Sequence, residues 1–90
     1  MEVRITPAVA ADYVARSMAE SYEGPSNPYE KINGPGTYTF TDAEAAELRK
    51  DALFYVTPGG PGEALSFGER QAYYALVRQI YAKQLAAVKG

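Results

Sequence analysis

Arg70, Tyr74, Arg78 and Tyr81 recur at i, i+4, i+8 and i+11 in the last third of the chain. On an α-helix this spacing places them within about 80° of arc, as one ridge. A guanidinium is a planar fork of donors, and a phenol is a flat apolar ring with a hydroxyl at its tip. Interleaved, the two suit either a hot spot for another protein or an anionic ligand held by fork and ring stacking together. Phe67 and Leu85 extend the ridge at its ends. Beside it, Tyr73, Leu76, Val77, Ile80 and Ala87 form an ordinary core stripe. The far side (Gln71, Ala72, Ala75, Gln79, Ala82, Ala86) is small and uncharged, with Lys83 nearby. A surface helix of a monomer normally shows a solvated charged face, and this one scarcely does. It is therefore expected to be covered on more than one side, by its own core and by another chain. The structural alternative is that Tyr74 and Tyr81 edge the core while the arginines pack their stems on the rings.

Other candidates are weaker. Tyr29, Lys31 and Tyr38 sit among tight turns in residues 24–40, where they could join a recognition surface or pin the loop onto the helices. Phe54 projects near the polar side of the second helix, as an exposed contact or tucked under the Pro58 linker. Glu44, Glu47 and Asp51 share one side of that helix at i, i+3 and i+7. Three carboxylates so placed read as a solvated acidic face, because metal sites of this kind bring ligands from further elements. Gly59-Gly60-Pro61-Gly62 lacks the Lys-Ser/Thr and the preceding strand of a phosphate loop, and reads as a linker.

Composition removes most catalytic chemistry. The chain has eight tyrosines but no histidine, cysteine or tryptophan, so the commonest general base, the commonest metal ligand and the thiol nucleophile are absent. No paired set of carboxylates, lysines or hydroxyls emerges, and neither an enzyme nor a cofactor is expected. Ninety residues make one small domain with a limited core and no disulfides, leaving helix packing and oligomerisation as its supports. The net charge of −2 is too mild for general affinity for DNA or anionic membranes. Charge is nevertheless segregated: residues 41–63 carry a local −3 and residues 64–90 a local +3. With no signal peptide and no apolar run of about 20 residues, a cytoplasmic protein is expected, in the host cytoplasm if a phage encodes it.

The elements that must position these residues are mainly helical. Thr6-Pro7 reads as N-cap and first position of a helix running to about Glu23, with Ala8, Ala11, Val14, Ala15, Met18 and Tyr22 inward and Tyr13 outward. Thr41…Glu44 and Ser66…Glu69 are capping boxes that open helices over about 42–56 and 67–88. Ala45, Leu48, Ala52, Tyr55 and Val56 form the inward face of the first of these. Residues 2–6 and 37–40 alternate like strands. They could pair with each other, or 37–40 could form a hairpin with 29–32. The expected fold is one three-helix domain with a small two-stranded element.

Such a chain suits a non-catalytic interaction protein that works by occupying a partner's surface, possessing Tyr-rich faces and a charge-segregated body. Its size, acidity and lack of cysteine fit a phage-encoded inhibitor of host machinery or defence. Burial pressure on the third helix points to a homo-oligomer, most simply a dimer, or to a complex with another protein. Two alternatives stand beside this: an oligomeric module in which Arg70, Tyr74 and Arg78 sequester an anionic nucleotide-like molecule, and an assembly subunit of a larger particle.

Overall fold

The computed structural model describes residues 1–89. Val3 and Ile5 alternate with Glu2 and Arg4, and the two-residue period of extended chain buries the first pair and exposes the second. This segment is strand β1 (Glu2–Ile5). It pairs antiparallel with β2 (Gly36–Thr39), Val3 lying opposite Tyr38 and Ile5 opposite Gly36. Of the two pairings open to residues 37–40, this one forms. Residues 29–32 cannot offer a strand, because Pro28–Lys31 is a 3-10 turn. Pro28 brings no donor, and the Asn27 side chain accepts from the Tyr29 N–H at 3.1 Å, winding the chain instead of extending it.

Helix α1 (Pro7–Ala15) starts where the Thr6–Pro7 pair places it, with the Thr6 hydroxyl accepting from Val9. It does not run on to Glu23. Arg16 caps it and Ser17 turns into the left-handed region at φ 52°, after which α2 (Met18–Ser21) leaves as a separate turn. The buried face is also not the expected one. Val9, Ala10 and Tyr13 are inside, whereas Ala8, Ala11, Val14 and Ala15 are exposed. Tyr13, expected on the outer side, is 4% exposed. Large side chains set the phase: Val9 and Tyr13 at i, i+4 bury far more apolar area than a row of alanines.

Both capping boxes close as their sequences require. The Thr41 hydroxyl accepts from the Glu44 N–H at 3.1 Å while the Glu44 carboxylate accepts from the Thr41 N–H at 2.9 Å. Ser66 and Glu69 exchange the same pair of bonds at 3.2 Å. They open α3 (Asp42–Val56) and α4 (Phe67–Lys89), which pack antiparallel: Tyr74 meets Val56 and Tyr81 meets Arg49. Ala45, Leu48, Ala52 and Val56 of α3 and Tyr73, Leu76 and Ile80 of α4 share the core with Val3, Ile5 and Phe40. The connecting Gly-rich stretch is clamped rather than slack. A methyl on Gly62 would overlap the Tyr55 carbonyl, and one on Gly60 would crowd that of Phe54.

The uncharged flank of α4 meets β1 at Gln79, while Gln71, Ala75, Ala82 and Ala86 stay exposed. The Arg4 N–H donates to Gln79 Oε1 at 2.7 Å, the Arg4 carbonyl accepts from Gln79 Nε2 at 3.1 Å, and Lys83 donates to the Glu2 carbonyl. One glutamine thus stands where a third strand would pair, and the outer edge of β1 is closed.

Candidate functional site

The ridge of α4 divides into two halves with different roles. Arg70 donates to the carbonyls of Val56 at 3.4 Å and Gly62 at 3.1 Å, and the Tyr74 hydroxyl donates to the Val56 carbonyl at 3.4 Å. These side chains satisfy the carbonyl end of α3 and hold the linker, tasks that every helix terminus sets. Lower down, Arg78 is exposed and Tyr81 is 50% exposed, with the Arg49 guanidinium 5.6 Å over its ring. Tyr81, Leu85 and Val88 follow at i, i+4 and i+7, and Val88 is 85% exposed. Leu53, one turn beyond Arg49 on α3, is exposed too, but level with Arg78 and so on the other side of Tyr81 from Leu85 and Val88. The α3–α4 seam therefore presents an apolar strip bordered by Arg49 and Arg78. Phe67, also exposed, stands apart at the opposite end of α4.

The loop tyrosines anchor rather than display. Tyr29 is 3% exposed, which corrects its place among surface contacts: the turn that follows Pro28 drives its ring inward. The Tyr38 hydroxyl donates to the Gly34 carbonyl at 2.7 Å and meets Asn33 Oδ1 at 3.0 Å, pinning the Asn33-Gly34 turn. Lys31 is drawn to Glu44 at 2.8 Å. Phe54, by contrast, stands 63% exposed on the flank of α3 away from the seam.

That other flank holds a constellation the sequence did not reveal. Tyr13, Tyr22, Tyr29, Tyr55 and Tyr73 form a chain of edge-to-face rings with centroids 5.0–6.0 Å apart. Arg16 enters it with its guanidinium 3.7 Å over Tyr55. It donates to Asp12 at 2.9 Å and to the Tyr73 hydroxyl at 2.6 Å, and lies 3.5 Å from Asp51. The Tyr73 hydroxyl in turn donates to Asp12. The left-handed turn at Ser17 is the hinge that brings α2 and Tyr22 to this side. Only Asp12–Arg16, an i, i+4 pair, was visible as spacing.

Burial works against the charge on Arg16, but Tyr73, Asp51 and Asp12 more than restore it and hold the guanidinium protonated. Burial pushes the phenols of Tyr13, Tyr29 and Tyr73 up, Tyr73 further through its bond to Asp12. Asp51 is raised by burial, which Arg16 only partly offsets. Glu44 moves the other way, lowered by Lys31 and by the Thr41 N–H. Glu44, Glu47 and Asp51 are thus not a solvated acidic face: Glu44 is buried and the other two are half-buried, each turned toward a neighbouring element. Among the described residues, no three carboxylates gather as a metal site, and no helix is long and apolar enough to cross a membrane.

No protein-family model matches the chain, and neither a curated protein nor a solved structure is significantly similar to it.

Proposed function

We propose that the chain is a non-catalytic interaction protein that acts by occupying the surface of a partner protein, and that the α3–α4 seam is the contact. The observation that carries this reading is the strip of Tyr81, Leu85 and Val88, three large apolar side chains left exposed at i, i+4 and i+7 on the outer half of α4, with Leu53 exposed across the seam on α3. Contiguous apolar surface on a small domain marks an interaction site more often than scattered single residues do. Charge selects the occupant. Arg49 and Arg78 border the strip, so an acidic amphipathic segment complements it, whereas a second copy would set arginines against arginines. Anionic small-molecule capture by Arg70, Tyr74 and Arg78 gains little support, because the Arg70 guanidinium is directed at the Val56 and Gly62 carbonyls. A compact inhibitor of host machinery, such as a phage encodes, is the concrete form of this reading.

The test is comparative capture. The tagged chain and its Leu85→Glu/Val88→Glu variant, matched for helicity by circular dichroism, are exposed to the same lysate. A partner retained by the parent and lost by the variant is expected. A partner retained equally by both moves the contact off the seam. Light scattering at high micromolar concentration checks the occupant, since a dimer dissociated by the same variant would make it a second copy.

A further inference from the structure

A two-stranded sheet has two outer edges, and here they are finished differently. The Phe40 N–H donates to the Met1 carbonyl at 2.8 Å. In the β1–β2 register this fixes the phase: residues 36, 38 and 40 aim their backbone groups at β1, and Thr37 and Thr39 aim theirs away. On β1 the outward residues are Glu2 and Arg4, and Lys83 and Gln79 meet them. On β2 groups are left over. Lys31 donates to the Thr39 carbonyl at 3.2 Å, but the Thr37 N–H, the Thr37 carbonyl and the Thr39 N–H make no hydrogen bond among the described residues. Both threonines are exposed, and β2 (Gly-Thr-Tyr-Thr) carries no charged side chain, the usual guard of a free edge.

We propose that the outer edge of β2 is a dimerisation edge, on which β2 of a second copy pairs antiparallel about Thr37 to complete a four-stranded sheet. The groups left open select that occupant. With the two-fold axis at Thr37, the Thr37 N–H of each copy meets the Thr37 carbonyl of the other, and Thr39 falls opposite position 35. The Thr39 carbonyl already has a donor in Lys31, and position 35 is proline, which has no N–H to offer. A strand with an N–H at that place would compete with Lys31; a second copy does not. Side chains agree, since threonines facing each other across a ladder stabilise it. Charge does not oppose the pairing. Lys31 is matched by Glu44 at 2.8 Å. The two Arg4 side chains would stand three strand spacings apart, about 14 Å, beyond a Debye length of about 8 Å at physiological salt.

The closed β1 edge limits the assembly. Gln79 occupies the place of a further strand, so pairing stops at a two-fold dimer and cannot propagate as a fibre. Because α4 meets the sheet through β1, the dimer uses none of the seam residues, and it stands independently of the seam reading. A contact four residues long belongs to the weak end of association, with an expected Kd of about 0.1–1 mM.

The experiment is sedimentation of the full chain from about 20 µM to about 2 mM, a range that brackets that Kd, with two-dimensional amide NMR spectra over the same series. A monomer–dimer equilibrium is expected, with shifts at Thr37 and Thr39 that saturate along the same curve. Thr37→Pro removes an N–H that the β1 ladder does not use, and Thr37→Lys sets two like charges across the axis. With helicity matched by circular dichroism, each should raise Kd at least about tenfold, whereas Thr37→Val keeps the branched shape and should stay within about threefold. The seam variant Leu85→Glu/Val88→Glu should dimerise as the parent does. A monomer throughout the series, or a dimer indifferent to both Thr37→Pro and Thr37→Lys, would overturn the proposal. So would a dimer lost in the seam variant, or Thr37 and Thr39 amides protected only by a captured partner, which would make the occupant a foreign strand.

Discussion

The two flanks of α3 solve opposite problems with similar residues. Toward α1 and α2, tyrosines and an arginine turn inward, and the polar tips at the centre bond one another: Tyr73 bonds Asp12, and Arg16 bonds both, while the Tyr13 hydroxyl is buried without a hydrogen bond among the described residues. Toward the lower half of α4, Tyr81 and Arg78 turn outward, Arg49 lies half-buried over the Tyr81 ring, and Leu85 and Val88 stand exposed beyond them. Arg/Tyr interleaving is thus no signature of an interface. What separates the flanks is whether another element arrives to enclose the pair. On the α1 side, the left-handed Ser17 sends α2 back over α3. On the seam side, β1 and its Gln79 clasp occupy the opposite flank of α4 and leave the strip bare.

Removing Arg16 should break the contrast most severely. Arg16→Ala strips the cation from between Asp12 and Asp51 and vacates the face of Tyr55, leaving two mostly enclosed carboxylates facing phenols. Urea unfolding should show a loss of about 2–4 kcal/mol, near the lower part of the range for breaking a buried ion pair, because the Arg16 side chain keeps some exposure. A loss under 0.5 kcal/mol would mean that the cluster is no more than a surface pair.

Alkali probes the same flank. Tyr13, Tyr29 and Tyr73 have folded pKa values raised above that of an unfolded tyrosine, about 10. For a group raised in this way the stabilisation is complete below the unfolded pKa and is lost as pH climbs from there through the folded values. Stability should therefore hold to about pH 10 and then fall. The last phenolate absorbance should develop together with the loss of helical dichroism, and full ionisation of all eight tyrosines with helicity intact would contradict the cluster's burial.

The smallest effect is expected on the other flank. Leu85→Gln changes a side chain that is 42% exposed at the lower seam, and its unfolding free energy should stay within about 0.5 kcal/mol of the parent. A cost above about 1.5 kcal/mol would show Leu85 to be part of the core, and the two flanks would then no longer differ in kind.

Much of the frame could be read directly, because its causes are local. The capping boxes act over three residues, so Thr41…Glu44 and Ser66…Glu69 set the starts of α3 and α4 wherever those helices end up. The core stripe of Tyr73, Leu76 and Ile80 follows from helical period alone. The first helix was misphased for a reason equally physical. Alanine is compatible with either face, and nothing in Arg16-Ser17-Met18 announces a left-handed turn that only the surrounding contacts sustain. Of the proposed surface residues, Arg78, Tyr81 and Phe54 are exposed, Arg70 and Tyr74 close the α3 end, and Tyr29 is buried.

By itself the sequence determined a mainly helical chain, the starts of α1, α3 and α4, a glycine-rich linker, and an inventory rich in tyrosine and empty of histidine and cysteine. The tertiary structure alone decided which tyrosines meet. Tyr13 and Tyr73 are 60 positions apart, and their rings converge because α1 and α4 enclose one end of α3. It also decided which Arg/Tyr set is satisfied and which is left open, since enclosure depends on the path of the whole chain and not on the spacing within one helix.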